Sequence, residues 1–317
     1  MDNVLSDPSS VCGTKPMIIG IADGLGQNSW STLSYELVEE QARKCPNTTK
    51  VIRTAANGDP SKAVSDINTL VAQGANVITV VPDAGPVGSA MRKAMESGVA
   101  VVTWGAPAVG AQVGRDMIDN IQIDRANDGL LYGEFLVEAL DGKGNVLLIG
   151  GPAGNPLTPL TVKGVKEAFT DHPGMKILNK SPAITNWDPA STQQAVATLL
   201  TRFPKIDGIV TESVQNVPGI IQAFSDADRE LVPITVEDGP RSATDLRLTG
   251  GCLYLTHKPS NPKLELAATS SGNFVGQIAL RKAIASYQGT TNSEPSILKV
   301  DYLENSLKGG KLTPKCG

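Results

Sequence analysis

At 317 residues, the chain is about twice the common domain length of 100 to 150 residues, which predicts two lobes rather than one core. Apolar residues make up 40%, charged residues 19%, and the net charge is -4; this excludes disorder and collagen and offers no basic surface for nucleic acid. No apolar run approaches the roughly 20 residues of a membrane helix, and the polar start Met1-Asp2-Asn3 is not that of a signal peptide, so the expectation is a mature exported chain or a cytosolic one.

Along the chain, short Val/Ile-rich runs alternate with amphipathic stretches, and Gly, Pro, Asp and Asn stand at the joins. Strands are predicted at 17–22, 50–55, 76–81, 99–103, 118–123, 145–149, 176–184, 208–211, 233–236, 252–256 and 297–302. Helices are predicted at 30–44, 61–73, 87–97, 126–140, 160–170, 191–202, 218–227 and 262–287. In the second of these, Ala63, Ile67, Leu70 and Val71 share one face. The strands are continuous apolar runs, as parallel strands covered on both faces should be. The strand, Gly/Asn loop and helix that open at Met17 are weakly repeated from Asn145. Two βαβ series imply an α/β fold of two doubly wound parallel-sheet lobes, in which ligands bind at the carboxyl ends of the strands.

Residues just past each strand are therefore the candidates. Gly24-Leu25-Gly26-Gln27-Asn28-Ser29 is a partial dinucleotide fingerprint, but Ser29 stands at the third glycine, and Thr54-Ala55-Ala56-Asn57 supplies no ribose-binding acid. No phosphate loop, His-Glu-x-x-His or Gly-x-Ser-x-Gly is present, so no cofactor, metal or catalytic residue is expected. Of the two histidines, His172 falls in a turn away from the ligand edge, whereas His257 directly follows the predicted strand 252–256 and could donate to a ligand oxygen. Trp30, Trp104 and Trp187 all lie just past strands, where flat rings suit the apolar face of a sugar. Asp23, Asn28, Asp83, Asp124, Asn155, Asn186, Asp188, Glu212, Gln215, Glu237 and Asp238 collect at the same edges, with Asp59 and Asp188 read as helix caps. The cysteines Cys12, Cys45, Cys252 and Cys316 lack zinc-site spacing; they form disulfides in one of three pairings, or remain buried thiols.

Several motifs occur in a telling order: Ile18-Ile19-Gly20-Ile21 ahead of Asn28-Ser29-Trp30, then Asn57-Gly58-Asp59-Pro60, Val81-Pro82-Asp83, Val101-Val102-Thr103, and Val236-Glu237-Asp238-Gly239. From Pro16 to about Tyr302 the chain thereby resembles the type I periplasmic solute-binding proteins of the ribose and galactose binder kind, the receptors of ABC sugar importers. The resemblance implies an N-terminal lobe of 1–105 plus 258–296 and a C-terminal lobe of 106–257 plus 297–317. Three hinge segments would lie near 104–106, 257–259 and 296–299, with the ligand cleft between the lobes. It implies a monomer in the periplasm that closes on a monosaccharide or polyol and is read by a membrane permease. Sugar contacts carry over to Asn28, Trp30, Asp83, Trp104, Asp124, Arg125, Asn155, Trp187, Glu212, Ser213, Asp238 and His257. The lobe assignment implies the pairs Cys12 with Cys45 and Cys252 with Cys316, neither tying the lobes together.

Departures from the family are informative. Thr161 stands where many relatives grip sugar oxygens with arginine, Trp104-Gly105-Ala106 replaces an Asp-Arg, and Glu212-Ser213 replaces an Asn-Asp pair. Two arginines are lost and an acid gained, so the pocket is expected to be more anionic than that of a ribose binder. An amino sugar or other small cation is accordingly the alternative ligand. A transcription-regulator core is disfavoured by the short stretch ahead of the first strand, and an enzyme by the want of a nucleophile or base.

Overall fold

The structure, a computed structural model, describes residues 7–26, 28–237, 246–249, 252–255, 266–269, 272–300 and 304–305. The chain forms two compact units, Met1–Ile123 with Gly272–Leu298, and Asp124–Ser271 with Lys299–Gly317. Both are α/β.

In the first unit, six strands among the described residues form an all-parallel sheet. They are β1 (Met17–Asp23), β2 (Thr48–Ala55), β3 (Val77–Val81), β4 (Ala100–Trp104), β5 (Asp119–Ile123) and β14 (Ile297–Leu298), in the order β14-β5-β4-β3-β1-β2. β3 and β4 are buried at every position, whereas the edge strand β2 is nowhere fully buried, as the two-sided cover of a central strand requires. Helices α2 (Ser29–Arg43), α3 (Pro60–Ala72), α4 (Gly88–Glu96) and α9 (Val275–Gln288) cover it. Asn28 caps α2, and Asp59 caps α3 with Pro60 in its first turn. Ile67 and Leu70 of α3 pack with Ile78, Val80 and Met91 in one core layer. The short helix α1 (Ser9–Cys12) is joined to the end of α2 by a disulfide between Cys12 and Cys45, both buried. Closing the intervening loop removes freedom from the unfolded chain, by about 3 to 4 kcal/mol in the chain-entropy model.

The second unit carries β6 (Lys143–Gly150), β7 (Gly174–Ile177), β8 (Ala183–Ile184), β9 (Gly208–Thr211), β10 (Ile234–Glu237), β13 (Leu266–Thr269) and β15 (Glu304–Asn305). Their order is β15-β13-β10-β9-β6-β7, with β8 also paired to β6 and only β15 antiparallel. Alternation along β6 builds two layers. Val146 and Leu148 pack with Tyr132, Phe135 and Leu136 of α5 (Arg125–Ala139) and Val165 of α6 (Leu157–Ala168). Leu147 and Ile149 pack with Val196 of α7 (Pro189–Arg202) and with Ile220 and Phe224 of α8 (Val217–Asp226).

Five features depart from the sequence expectation. β5 hydrogen-bonds to β4, so the first crossing between units lies at 123/124 instead of near 105. The second crossing falls at 271/272 rather than near 257–259, whereas the third, at 298/299, lies within the expected segment 296–299. The predicted strand 176–184 breaks because the Asn179 side chain takes over its pairing: Oδ1 accepts from Leu148 N at 2.9 Å and Nδ2 donates to Leu148 O at 2.8 Å. The predicted helix 262–287 contains β13, a parallel partner of β10, before Gly272 at φ 75 turns the chain into α9. The predicted strand 252–256 is β12 (Cys252–Leu255), which pairs antiparallel with β11 (Leu246–Thr249) in a separate ribbon. This removes the premise that placed His257 at a parallel-sheet edge. His257 itself lies outside the described residues, as do Gln27, Asp238 and Cys316, and with Cys316 its expected bond to Cys252.

Candidate functional site

In the first unit, the carboxyl edge of the sheet gathers Asp23, Asn28, Trp30, Asp83 and Trp104. Asp23 ends β1 and is held three ways. It accepts from Leu25 N at 3.1 Å and from Ser31 Oγ at 3.3 Å, and pairs with Arg53 of β2 at 3.2 Å. Arg53 also lies over the Tyr35 ring, 4.5 Å from its centroid. Asn28 spends its side-chain oxygen on Ser31 N at 2.8 Å, which opens α2 in the direction that exposes Trp30. Trp30 and Trp104 stack obliquely, 5.5 Å apart and inclined by 31°. Trp104 is the inner ring. It is 1% exposed and packed so closely on α9 that a side chain at Gly276 would lie 2.9 Å from the indole. Its Nε1 is buried with no hydrogen-bond partner. Only Trp30 of this pair keeps a partly open face. Asn273 fixes it from below, donating to Trp30 O at 3.1 Å and Ser34 Oγ at 2.7 Å.

Asp83 follows β3 and folds over Gly24, where any Cβ would lie 2.0 Å from Asp83 Oδ1. That oxygen is buried without a hydrogen-bond partner. Burial, reinforced by the nearby Asp23 charge, pushes the carboxyl up to about 8. A carboxyl whose folded pKa is raised contributes stability at low pH and loses it as pH climbs, here between about 4 and 8. Asp83→Asn should therefore raise the melting temperature of the ligand-free protein by several °C at pH 9 and change it little at pH 5. Equal shifts at the two pH values in thermal melts would show that Asp83 does not change ionisation between them.

In the second unit, several expected residues spend their side chains on backbone N–H groups at helix starts. Asp124 Oδ1 accepts from Asn127 N at 3.2 Å, Asn155 Oδ1 from Leu157 N at 2.8 Å, and Ser213 Oγ from Gln215 N at 3.3 Å. Asp188 caps α7 as expected. Arg125, expected as a ligand donor, is 7% exposed, and its NH1 pairs with Asp128 at 2.9 Å and Glu237 at 2.5 Å. These pairs tie the start of α5 to the end of β10, so this nitrogen serves the fold. Glu212, one residue past β9, is 7% exposed and accepts at Oε1 from Thr158 Oγ1 at 2.5 Å and from Trp187 Nε1 at 3.3 Å. Burial pushes its carboxyl up against the pull of those two donors and of Arg125.

Within their own units, then, the structure groups Trp30 with Trp104, and Trp187 with Glu212. Sequence reasoning missed Arg53, Asp128, Thr158 and Asn273. Arg53 alone left a signal, as a cation in an otherwise neutral strand end, Arg53-Thr54-Ala55. The others act through contacts between elements remote in sequence or on a helix face that composition does not mark.

A family profile described as periplasmic binding protein domain matches residues 19–252. Curated relatives include a xylitol-binding protein of Mycolicibacterium smegmatis, 29% identical over 70% of this chain and 62% of the relative. Another is a D-apiose import binding protein of Paraburkholderia graminis, 26% identical over 59% of each. The match thus spans about six tenths of the length of these relatives. Among solved structures, an ABC transporter solute-binding protein of Mycobacterium smegmatis with bound glycerol superposes with a TM-score of 0.76 at 19% identity, covering 95% of this chain and 97% of that one. The periplasmic component of the arabinose ABC transporter of Shewanella sp. ANA-3, bound to L-arabinofuranose, gives 0.75 at 15% identity, covering 92% and 94%. At these identities the likeness is one of fold, the type I periplasmic binding protein architecture.

Proposed function

Because this chain belongs to the periplasmic binding protein domain family, we propose that it is the extracytoplasmic solute receptor of an ABC importer, taking a neutral monosaccharide or polyol. The observation that carries this reading is the recurrence of one arrangement in each unit. A partly open indole, Trp30 or Trp187, stands at the carboxyl edge of a parallel sheet that also carries a buried carboxyl group, Asp83 or Glu212. Indole faces suit the C–H face of a sugar or polyol, and carboxyl groups take its hydroxyls. Micromolar binding requires only about 8 kcal/mol net, which a stacked ring and several hydrogen bonds supply. Ligand selects the receptor conformation that it binds best by its differential affinity, and a membrane permease reads that state. The receptor acts as a monomer and leaves its ligand chemically unchanged.

The test is a thermal-shift panel of xylitol, D-ribose, D-apiose, D-allose, myo-inositol and glycerol, with each compound assayed for consumption. One chemical class should stabilise the protein, by about 2.7 kcal/mol at a hundredfold excess over Kd. No stabilisation by any member at millimolar concentration, or turnover of one, would sink the reading.

A further inference from the structure

Trp187 occupies a turn that its own backbone does not favour. Asn186 and Trp187 both adopt φ 53, a left-handed conformation that residues with a Cβ avoid. The turn is fastened on either side. Thr185 Oγ1 lies 2.6 Å from Gly150 O, Asp188 N donates to Thr185 O at 3.0 Å, and Asp188 caps α7. The result lays the indole on Gly151, where a Cβ would come within 2.4 Å of the ring. Hydrogen bonds then run from the loop after β6 to the indole. Gly151 N donates to Thr158 Oγ1 at 3.3 Å, Thr158 Oγ1 donates to Glu212 Oε1 at 2.5 Å, and Trp187 Nε1 donates to the same oxygen at 3.3 Å.

We infer that Glu212 is a positioning residue that works through Trp187: its carboxyl, oriented by Thr158, fixes the edge of the indole over Gly151 so that the ring offers a set face to the ligand. The assignment rests on the receptor reading above and changes the part of Glu212 from sugar contact to support. The geometry favours it because the oxygen that meets the indole is already saturated by a hydroxyl and an N–H. A buried acceptor of this kind fixes a ring at an angle that backbone strain would otherwise release. Gly151 is specific to the arrangement, since even alanine there would displace the ring.

A double-mutant cycle with xylitol, D-ribose and myo-inositol as titrants tests it, together with fluorine NMR of ligand-free protein carrying 5-fluorotryptophan. Trp187→Phe assigns the resonance. Glu212→Ala should weaken binding about tenfold and move the Trp187 resonance while leaving those of Trp30 and Trp104 in place. Trp187→Ala should weaken binding at least as much, and the double variant no further than Trp187→Ala alone. Glu212→Gln keeps an acceptor and should restore both the resonance and most of the affinity. Thr158→Val, which removes the orienting donor, supplies the same readout should Glu212→Ala not fold. Losses that multiply in the double variant would place Glu212 on the ligand and overturn the inference, as would a Trp187 resonance unmoved in both Glu212→Ala and Thr158→Val. Wild-type protein that binds none of the three titrants overturns the receptor reading first, and this inference with it.

Discussion

Arg125→Met should cost about 3 to 5 kcal/mol of folding stability, with a larger deficit at pH 8 than at pH 5. Methionine fills much of the volume of the arginine stem, so the loss isolates the charge. The Arg125 side chain is 8% exposed and lies between Asp128, 1% exposed, and Glu237, 18% exposed. Asp128 keeps one oxygen on Arg125 and buries the other without a partner. Burial pushes this carboxyl up to about 6 even with the arginine pulling it down. Without the cation it rises further. A raised carboxyl loses its contribution to stability as pH increases, so the variant fares worst where Asp128 would have to ionise beside Glu237 with no counter-charge. The Asp128→Asn change on top of Arg125→Met should recover about 1 to 2 kcal/mol at pH 8 and little at pH 5. Urea melts at the two pH values read both effects through the midpoint at constant slope. A deficit that is the same at both pH values and indifferent to Asp128→Asn would mean that the ion cluster is not what Arg125 serves.

The fold was legible in the sequence wherever one local rule decided the outcome. Apolar runs such as Val77–Val81 and Gly208–Thr211 read as buried parallel strands and are buried throughout. Asp59 and Asp188 read as caps and are caps. The reading gave way where a distant partner decided. Asn179 reads as one polar residue in a strand, and only its pairing with Leu148 shows that its side chain replaces the ladder. Leu266-Ala267-Ala268-Thr269 suits a helix by composition, and becomes a strand because the slot beside β10 takes it. The candidate site divides the same way. Trp30, Asp83, Trp187 and Glu212 became candidates by the rule that ligands bind past the strand ends, yet that rule cannot tell an open indole from one walled in by Gly276, as Trp104 is. Nor can it show that Arg125 is engaged by Asp128 and Glu237, since a polar residue at a strand end looks alike whether its partner is a ligand or a neighbouring acid.

Gly164→Ala should destabilise the protein by about 3 kcal/mol or more, although helix propensity alone predicts a gain of about 1 kcal/mol. α5 and α6 cross with their backbones in contact. A Cβ at Gly164 would lie 1.9 Å from Ala126 O and 2.5 Å from Leu130 N, and one at Gly129 would lie 1.9 Å from Thr161 O. Cβ contacts shorter than 3.0 Å do not occur, and these neighbours are main-chain atoms that no rotamer change can move. The helices would have to separate by about 1 Å, loosening Val165 against Tyr132 and Phe135 over their whole shared layer. Gly98→Ala is the matched comparison. Gly98 has φ 84 and nothing within 4 Å of a Cβ, so alanine there carries only the left-handed backbone penalty of about 1 kcal/mol. Thermal and urea melts of the two variants should differ by at least about 2 kcal/mol. The consequence reaches the site, because α5 begins with Arg125 and α6 carries Thr158 in its first turn. Parting the helices shifts the hydroxyl that orients Glu212, so Gly164→Ala should also move the Trp187 fluorine resonance while Gly98→Ala leaves it in place. If Gly164→Ala matches Gly98→Ala in stability and leaves that resonance unmoved, α5 and α6 are not in backbone contact and the positioning of Trp187 does not depend on their spacing.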